Sequence, residues 1–118
     1  MALWVSGVAY EHREVALKAK PAAMLAVSSK GTVPVLCLPA GEVMDESLDI
    51  MQWALHQHDP QGWLPSSPEA WTYTRAGIAL NDGEFKKQLD RYKYPQRFGL
   101  TDGLPHRTHG AELLMQWQ

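Results

Sequence analysis

Two consecutive stretches in the first half of the chain constrain its fold more than any other part. Residues 30–38 read Lys-Gly-Thr-Val-Pro-Val-Leu-Cys-Leu, a glycine turn and then a short apolar run with Pro34 near its start. Because proline has no N–H to donate, such a run suits the start of a strand, an edge strand or a position beside a ligand. Residues 45–55 then open with Asp-Glu-Ser and continue with apolar residues at helical spacing. This order predicts an α/β chain in which a strand and a hairpin lead into a helix capped by acidic and hydroxyl residues.

Glycine and proline residues divide the rest of the chain into short elements. Gly7 is expected to end a first helix in the left-handed conformation. Ser67 is a plausible cap for a long helix with Pro68 at its first position, a bend near residues 81–83 and its end at Pro95. The predicted helices are residues 1–7, 21–27, 47–58, 68–94 and 108–117.

A linker separates two parts of the chain. Residues 59–65 contain two prolines and one glycine, which stop regular structure. The expected domains are therefore residues 1–60 and residues 61–118.

The composition excludes several classes of function. The chain is 45% hydrophobic and 20% charged, and its net charge of -2 gives no reason to expect a nucleic acid or an anionic membrane surface as partner. A single cysteine excludes an internal disulfide and any Cys-x-x-Cys redox or zinc motif. No apolar run approaches the length of a membrane span or a signal segment, so we expect a soluble cytoplasmic protein.

The order and spacing of four segments resemble those of a known family. Residues 11–20, 29–38, 46–55 and 82–95 together resemble the amino-terminal domain of bacterial glutathione S-transferases and the start of the helical domain that follows it. The resemblance implies a partial thioredoxin-like domain joined to a partial all-helical domain, trimmed at both ends. It also identifies residues 10–17 as a strand, although their alternation is imperfect, with residues 33–38 and 42–44 as the next two strands.

The resemblance also implies what the chain lacks. Met1 aligns in the second half of the helix that follows the family's catalytic loop, so the first strand and the catalytic Cys, Ser or Tyr are expected to be absent. In that fold the first strand lies between the strands at residues 10–17 and 33–38. We expect these two strands either to pair directly or to be completed by another copy of the chain.

Five residues correspond to glutathione contacts of the family. The Val33-Pro34 bond is expected to be cis and to turn the valine backbone toward the peptide of glutathione. Glu46 would hold the γ-glutamyl ammonium, and Ser47 the γ-glutamyl carboxylate at the positive end of a helix. Lys20 would pair with the glycyl carboxylate. The alternative interpretation is structural: a trans edge proline, a capping Ser47, a solvated Glu46 and a solvated Lys20.

Other chemically capable residues favour structural roles. Cys37, within the apolar strand, is expected to be a buried small hydrophobe rather than a nucleophile. The histidines lack Cys or acidic partners for a zinc set, so we expect neither a metal site nor a catalytic residue. The tyrosines of the helical half suit a core or an interface, and the basic, aromatic segment 91–97 suits a solvated helix end.

Three functions remain open at this point. The leading one is a glutathione S-transferase homologue that lacks its catalytic loop and keeps some glutathione contacts. The second is a homo-oligomeric scaffold without a ligand, and the third is a fragment of an active enzyme whose catalytic residue lies upstream. In each case uncovered apolar residues favour self-association, most simply as a dimer that exchanges elements about the linker. The residues expected to be uncovered are Trp71, Ile78, Leu113 and Leu114.

Overall fold

The computed structural model describes residues 1–117, which fall into two compact units. One unit is Met1–Leu64, and the other begins at Pro65, four residues after the sequence-predicted start of the second domain at residue 61. The first unit contains helices α1 (Ala2–Ser6), α2 (Ala22–Val27) and α3 (Ser47–Gln57) and strands β1 (Leu36–Cys37) and β2 (Val43–Met44). The second contains α4 (Pro68–Leu80), a π-helical turn (Asn81–Phe85), α5 (Lys86–Lys93), a 3₁₀ turn (Pro95–Phe98) and α6 (Leu104–Met115).

The core of the first unit lies between α1 and α3. Ala2, Ala54 and Leu55 form its buried cluster, and Ala54 has no exposed surface. The helical spacing of the apolar residues in α3 directs them to one side, where α1 covers them. A ring nitrogen of His58, Nδ1, lies 3.1 Å from the carbonyl oxygen of Ser6, which ties the end of α3 to the end of α1.

Gly7 ends α1 as its sequence predicts. Its φ of 70° is left-handed, and its N–H donates to the carbonyl oxygen of Trp4. A glycine accepts this conformation without the clash that a Cβ would make. The five-residue helix is too short to be stable alone, so its packing on α3 stabilises it.

The sheet is smaller than the sequence predicts. Strands β1 and β2 pair antiparallel, with Leu36 opposite Met44 and Cys37 opposite Val43. The predicted strand at 33–38 is shortened to Leu36–Cys37, because Pro34 near its start cannot donate to a ladder. A left-handed Gly41 turns the chain between the strands.

The strand predicted at residues 10–17 is absent from the described chain. That segment is non-helical and unpaired, and most of its side chains are exposed. Its charged residues satisfy one another locally, as in the ion pair of Arg13 Nε with Glu11 Oε1 at 2.9 Å. Without alternating apolar residues, the segment has no face to bury against a sheet. Of the two alternatives expected, direct pairing of 10–17 with 33–38 is therefore absent from residues 1–117, and completion by another copy stays a prediction.

The second unit confirms the predicted helix start and stop signals. The hydroxyl of Ser67 accepts the N–H of Ala70 at 3.2 Å, and Pro68 opens α4. The predicted bend near residues 81–83 is a π-helical turn that joins α4 to α5. Helix α5 ends at Lys93, ahead of Pro95.

Helix α6 differs from its prediction at the start. It begins at Leu104 rather than Thr108. The prolines and glycines before Thr108 predict a loop, yet Pro105 lies in the first turn of the helix, where a missing N–H costs nothing. Leu113 on this helix is buried, although it had been expected to be uncovered.

A buried glutamine joins α5 to α6. Gln88 Nε2 donates to Glu84 Oε1 at 2.5 Å, while Gln88 Oε1 accepts from His106 Nδ1 at 2.5 Å. The hydrogen bond from Gln88 holds the pKa of Glu84 below its ordinary value. Both polar ends of the Gln88 amide are thus satisfied, as burial requires.

Two glycines mark close approach of the same two helices. A Cβ placed on Gly103 would lie 2.5 Å from the carbonyl oxygen of Tyr92, whereas one on Gly110 would make ordinary contacts of 3.7 Å or more.

Among the described residues, no helix is long and apolar enough to cross a membrane.

Candidate functional site

The loop of residues 28–34 and the first residues of α3 form the candidate site. The loop follows α2, and the glycine Gly31 within it has a left-handed φ of 58°. The start of α3 offers backbone N–H groups that have no partner within the helix. Side-chain contacts join the two segments.

Asp45 and Glu46 receive the loop side chains. The hydroxyl of Ser28, which is buried, donates to Asp45 Oδ2 at 3.0 Å. The ammonium of Lys30 lies 3.6 Å from Asp45 Oδ1 and is hydrogen-bonded to Glu46 Oε1. The bond to Glu46 is the main cause that raises the pKa of Lys30 above its ordinary value, so this lysine is charged near neutral pH. The loop is therefore fastened to the residues ahead of α3 by one hydroxyl–carboxylate hydrogen bond and two lysine–carboxylate contacts.

The Val33-Pro34 peptide bond is cis, as the sequence resemblance implies. Val33 is 46% exposed. Within residues 1–117 its backbone N–H and C=O make no hydrogen bond. Both main-chain groups are thus available to an extended peptide, which pairs through such groups.

Lys20 lies beside the same loop. A Cβ placed on Gly31 would be 4.0 Å from the Lys20 ammonium and 3.0 Å from Leu25 Cδ2. The structure thus brings Lys20 to one part of the loop, and Glu46 reaches the loop through Lys30. Four of the five candidate residues, Lys20, Val33, Pro34 and Glu46, lie in this loop or are linked to it.

Ser47 does not cap α3 through its side chain. Glu46 occupies the N-cap position, its side chain makes no capping bond, and Ser47 is the first helical residue. The capping expectation was wrong because Glu46 already has the extended backbone of a cap, with φ −108° and ψ 129°. Ser47 is exposed, so its hydroxyl faces solvent at the positive end of the helix.

Sequence reasoning missed three members of this arrangement: Ser28, Lys30 and Asp45. Asp45 directly precedes the candidate Glu46, but neither a loop serine nor a loop lysine has a local sequence pattern that predicts a distant partner. The residue pairs are 16 and 17 positions apart in the sequence. The one available signal was the acidic pair Asp45-Glu46 ahead of α3, because two adjacent carboxylates attract a cation.

Cys37 differs from its prediction. Its thiol lies on the short strand β1 and is exposed rather than buried. Within residues 1–117, the sheet has only two strands of two residues each and leaves Cys37 uncovered. Cys37 is therefore no core residue, and it makes no hydrogen bond with the candidate site residues.

The remaining chemical groups form no second centre. Among residues 1–117, no cluster of His, Cys, Asp and Glu side chains could hold a metal ion. Tyr73, Tyr92 and Tyr94 are all exposed, so they do not belong to the core; the interface role expected as the other possibility stays a prediction. A shallow cavity of about 460 Å³ lies at the start of α4, where Trp71 and Arg75 line it, and it contains no residue of the candidate site.

The comparisons with known proteins identify one family. Residues 1–62 match the family described as Glutathione S-transferase, N-terminal domain. No curated protein and no solved structure matches the chain. The matched residues comprise more than half of the chain and contain the whole candidate site, from Lys20 to Ser47. The chain therefore belongs to the glutathione S-transferase family through its N-terminal domain.

Proposed function

We propose that residues 1–64 bind glutathione by its γ-glutamyl end and that this chain by itself has little or no transferase activity. The observation that carries the proposal is the free main chain of the exposed Val33, in a loop fastened to the start of α3. We also propose a cytoplasmic location, where glutathione would be available.

The chemistry of the site suits a tripeptide with two carboxylates and one ammonium. The main chain of Val33 would pair with the peptide of glutathione. The N–H groups that open α3, with the Ser47 hydroxyl, would bind the γ-glutamyl carboxylate, since a helix N-terminus favours negative charge. Glu46 would hold the ammonium, and Lys20 would pair with the glycyl carboxylate.

Loss of Glu46 and Ser47 together is expected to weaken glutathione binding about tenfold or more, because each removes a hydrogen bond to a charged group. Isothermal titration of the purified chain with glutathione measures the effect. The matched control replaces Glu14 and Ser66, which are exposed residues of the same types outside the site. Tight binding that survives both the Glu46→Ala and Ser47→Ala changes would place the ligand elsewhere.

The chain is expected to conjugate glutathione to an aryl halide at no more than trace rate. Cys37, the single cysteine of the sequence, lies on the hairpin and makes no hydrogen bond with the candidate site residues, so no thiol of the site is placed to activate glutathione. A spectrophotometric conjugation assay tests this expectation. Turnover at the rate of an active family member, abolished by Cys37→Ala, would contradict it and make Cys37 catalytic.

A homo-oligomeric role is a second candidate, favoured by exposed apolar side chains. Met1, directly before α1, is 87% exposed, Trp4 on α1 is 71% exposed, and Tyr73 on α4 is exposed as well. Large uncovered apolar residues favour association. We therefore propose a homodimer, with the linker residues 59–65 as the hinge of any exchanged element.

Sedimentation velocity is expected to show a dimer or larger at micromolar concentration. Trp4→Ser should shift the distribution toward the monomer, whereas the control Thr72→Ser, on an exposed residue, should leave it unchanged. A compact monomer that melts cooperatively would rule out the assembly.

A further inference from the structure

The Lys30 ammonium binds the Glu46 carboxylate, which is the group that the proposed site offers to the ammonium of a ligand. The lysine ammonium is hydrogen-bonded to Glu46 Oε1 and lies 3.6 Å from Asp45 Oδ1. Asp45 is fixed from its other oxygen by the buried hydroxyl of Ser28, at 3.0 Å. The free protein thus holds an internal cation at the position where a γ-glutamyl ammonium would bind.

Two ammonium groups compete at one carboxylate. Two like charges a few ångströms apart repel each other, and more strongly near a protein surface than in bulk water. Lys30 is part of the loop and stays beside Glu46, whereas the ligand's ammonium arrives from solution. The lysine therefore competes with every such ligand for the Glu46 carboxylate. A ligand that carries an ammonium must move Lys30 or share Glu46 with it, while a ligand without one meets no such competition.

We infer that Lys30 is a specificity-determining residue that lowers the affinity of the site for ligands with a free γ-glutamyl ammonium. This inference rests on the proposed glutathione site. It assigns Lys30 a role that differs from that of Lys20: Lys20 attracts a carboxylate, and Lys30 opposes an ammonium.

The expected effect is modest because both partners are partly exposed. Exposed ion pairs are weak, and the loss of one corresponds to roughly a one- to fivefold change in affinity. Removal of the Lys30 charge should therefore tighten glutathione binding about two- to fivefold at low ionic strength. Salt should reduce the gain, since it screens charges at the surface.

The experiment compares Lys30→Met with the wild-type chain and with the matched control Lys18→Met. Lys18 is an exposed lysine of the same unit, and no ion pair among the described residues includes it. Each protein is titrated with glutathione and with glutathione acetylated on its γ-glutamyl nitrogen. We expect Lys30→Met to bind glutathione more tightly than the other two and to bind the acetylated form no better than they do.

The outcomes separate this inference from the proposed function. One outcome is that all three proteins bind glutathione while Lys30→Met binds it as well as the wild type or more weakly. In that case Lys30 is no competitor, and this inference fails while the proposed function stands. Equal gains for glutathione and its acetylated form also overturn it, because the effect would then be independent of the ammonium. If none of the three proteins binds glutathione, the proposed site fails and this inference fails with it.

Discussion

Leu55→Ala is expected to lower the free energy of unfolding of the first unit by about 2–5 kcal/mol, the usual cost of such a change in a core. Leu55 is 5% exposed and packs with Ala2 and Ala54 between α1 and α3. Because α1 is too short to persist alone, a cavity at this contact should release it together with the end of α3. Urea denaturation followed by circular dichroism measures the loss.

Met51→Ala is the control for that change. Met51 lies on the same helix and is 44% exposed, so its truncation should cost less than about 1 kcal/mol. An equal cost for the two variants would show that the contact between α1 and α3 does not stabilise the unit.

Gly103→Ala is expected to destabilise the second unit by about 1–3 kcal/mol, as overpacking in a close-packed site does. The added Cβ would lie 2.5 Å from the carbonyl oxygen of Tyr92 and 2.7 Å from its Cα. These are backbone atoms, which cannot rotate away as a side chain would. Relief therefore requires α6 to shift relative to α5, and that shift would strain the bonds of Gln88 to Glu84 and His106. Thermal unfolding of the variant reports the effect.

Gly77→Ala provides the contrast within the same unit. Gly77 lies inside α4, and a Cβ there meets nothing within 4 Å. Alanine should stabilise the helix by about 0.5–1 kcal/mol, because glycine loses more conformational freedom on folding. A Gly103→Ala variant as stable as the wild type would mean that α5 and α6 are not held at this distance.

Local interactions explain which parts of the fold the sequence predicts. Gly7, Ser67 and Pro95 act on backbone groups within a few positions of themselves, so the ends of α1, α4 and α5 follow from neighbouring residues. Strands depend on partners far along the chain. The segment 10–17 had no such partner among the described residues, and its prediction as a strand was wrong.

The candidate site shows the same division. The resemblance marked Lys20, Val33, Pro34, Glu46 and Ser47 by their positions, and the family match supports the domain in which they lie. Their use as glutathione contacts stays a prediction. The contacts of Lys30 and Ser28 depend on how the loop folds back toward the start of α3. No spacing of residues in the sequence predicts that fold-back.

The exposed thiol on the hairpin gives the chain a natural point of attachment for a reporter. Cys37 is the single cysteine of the sequence and lies on β1, three positions after Pro34. A thiol-reactive dye would therefore attach once per molecule, at a known place close in sequence to the loop 28–34, without prior removal of other cysteines. Its fluorescence would follow events at that loop in the otherwise unaltered protein, and two dyes on associated copies would report the separation of their hairpins by energy transfer.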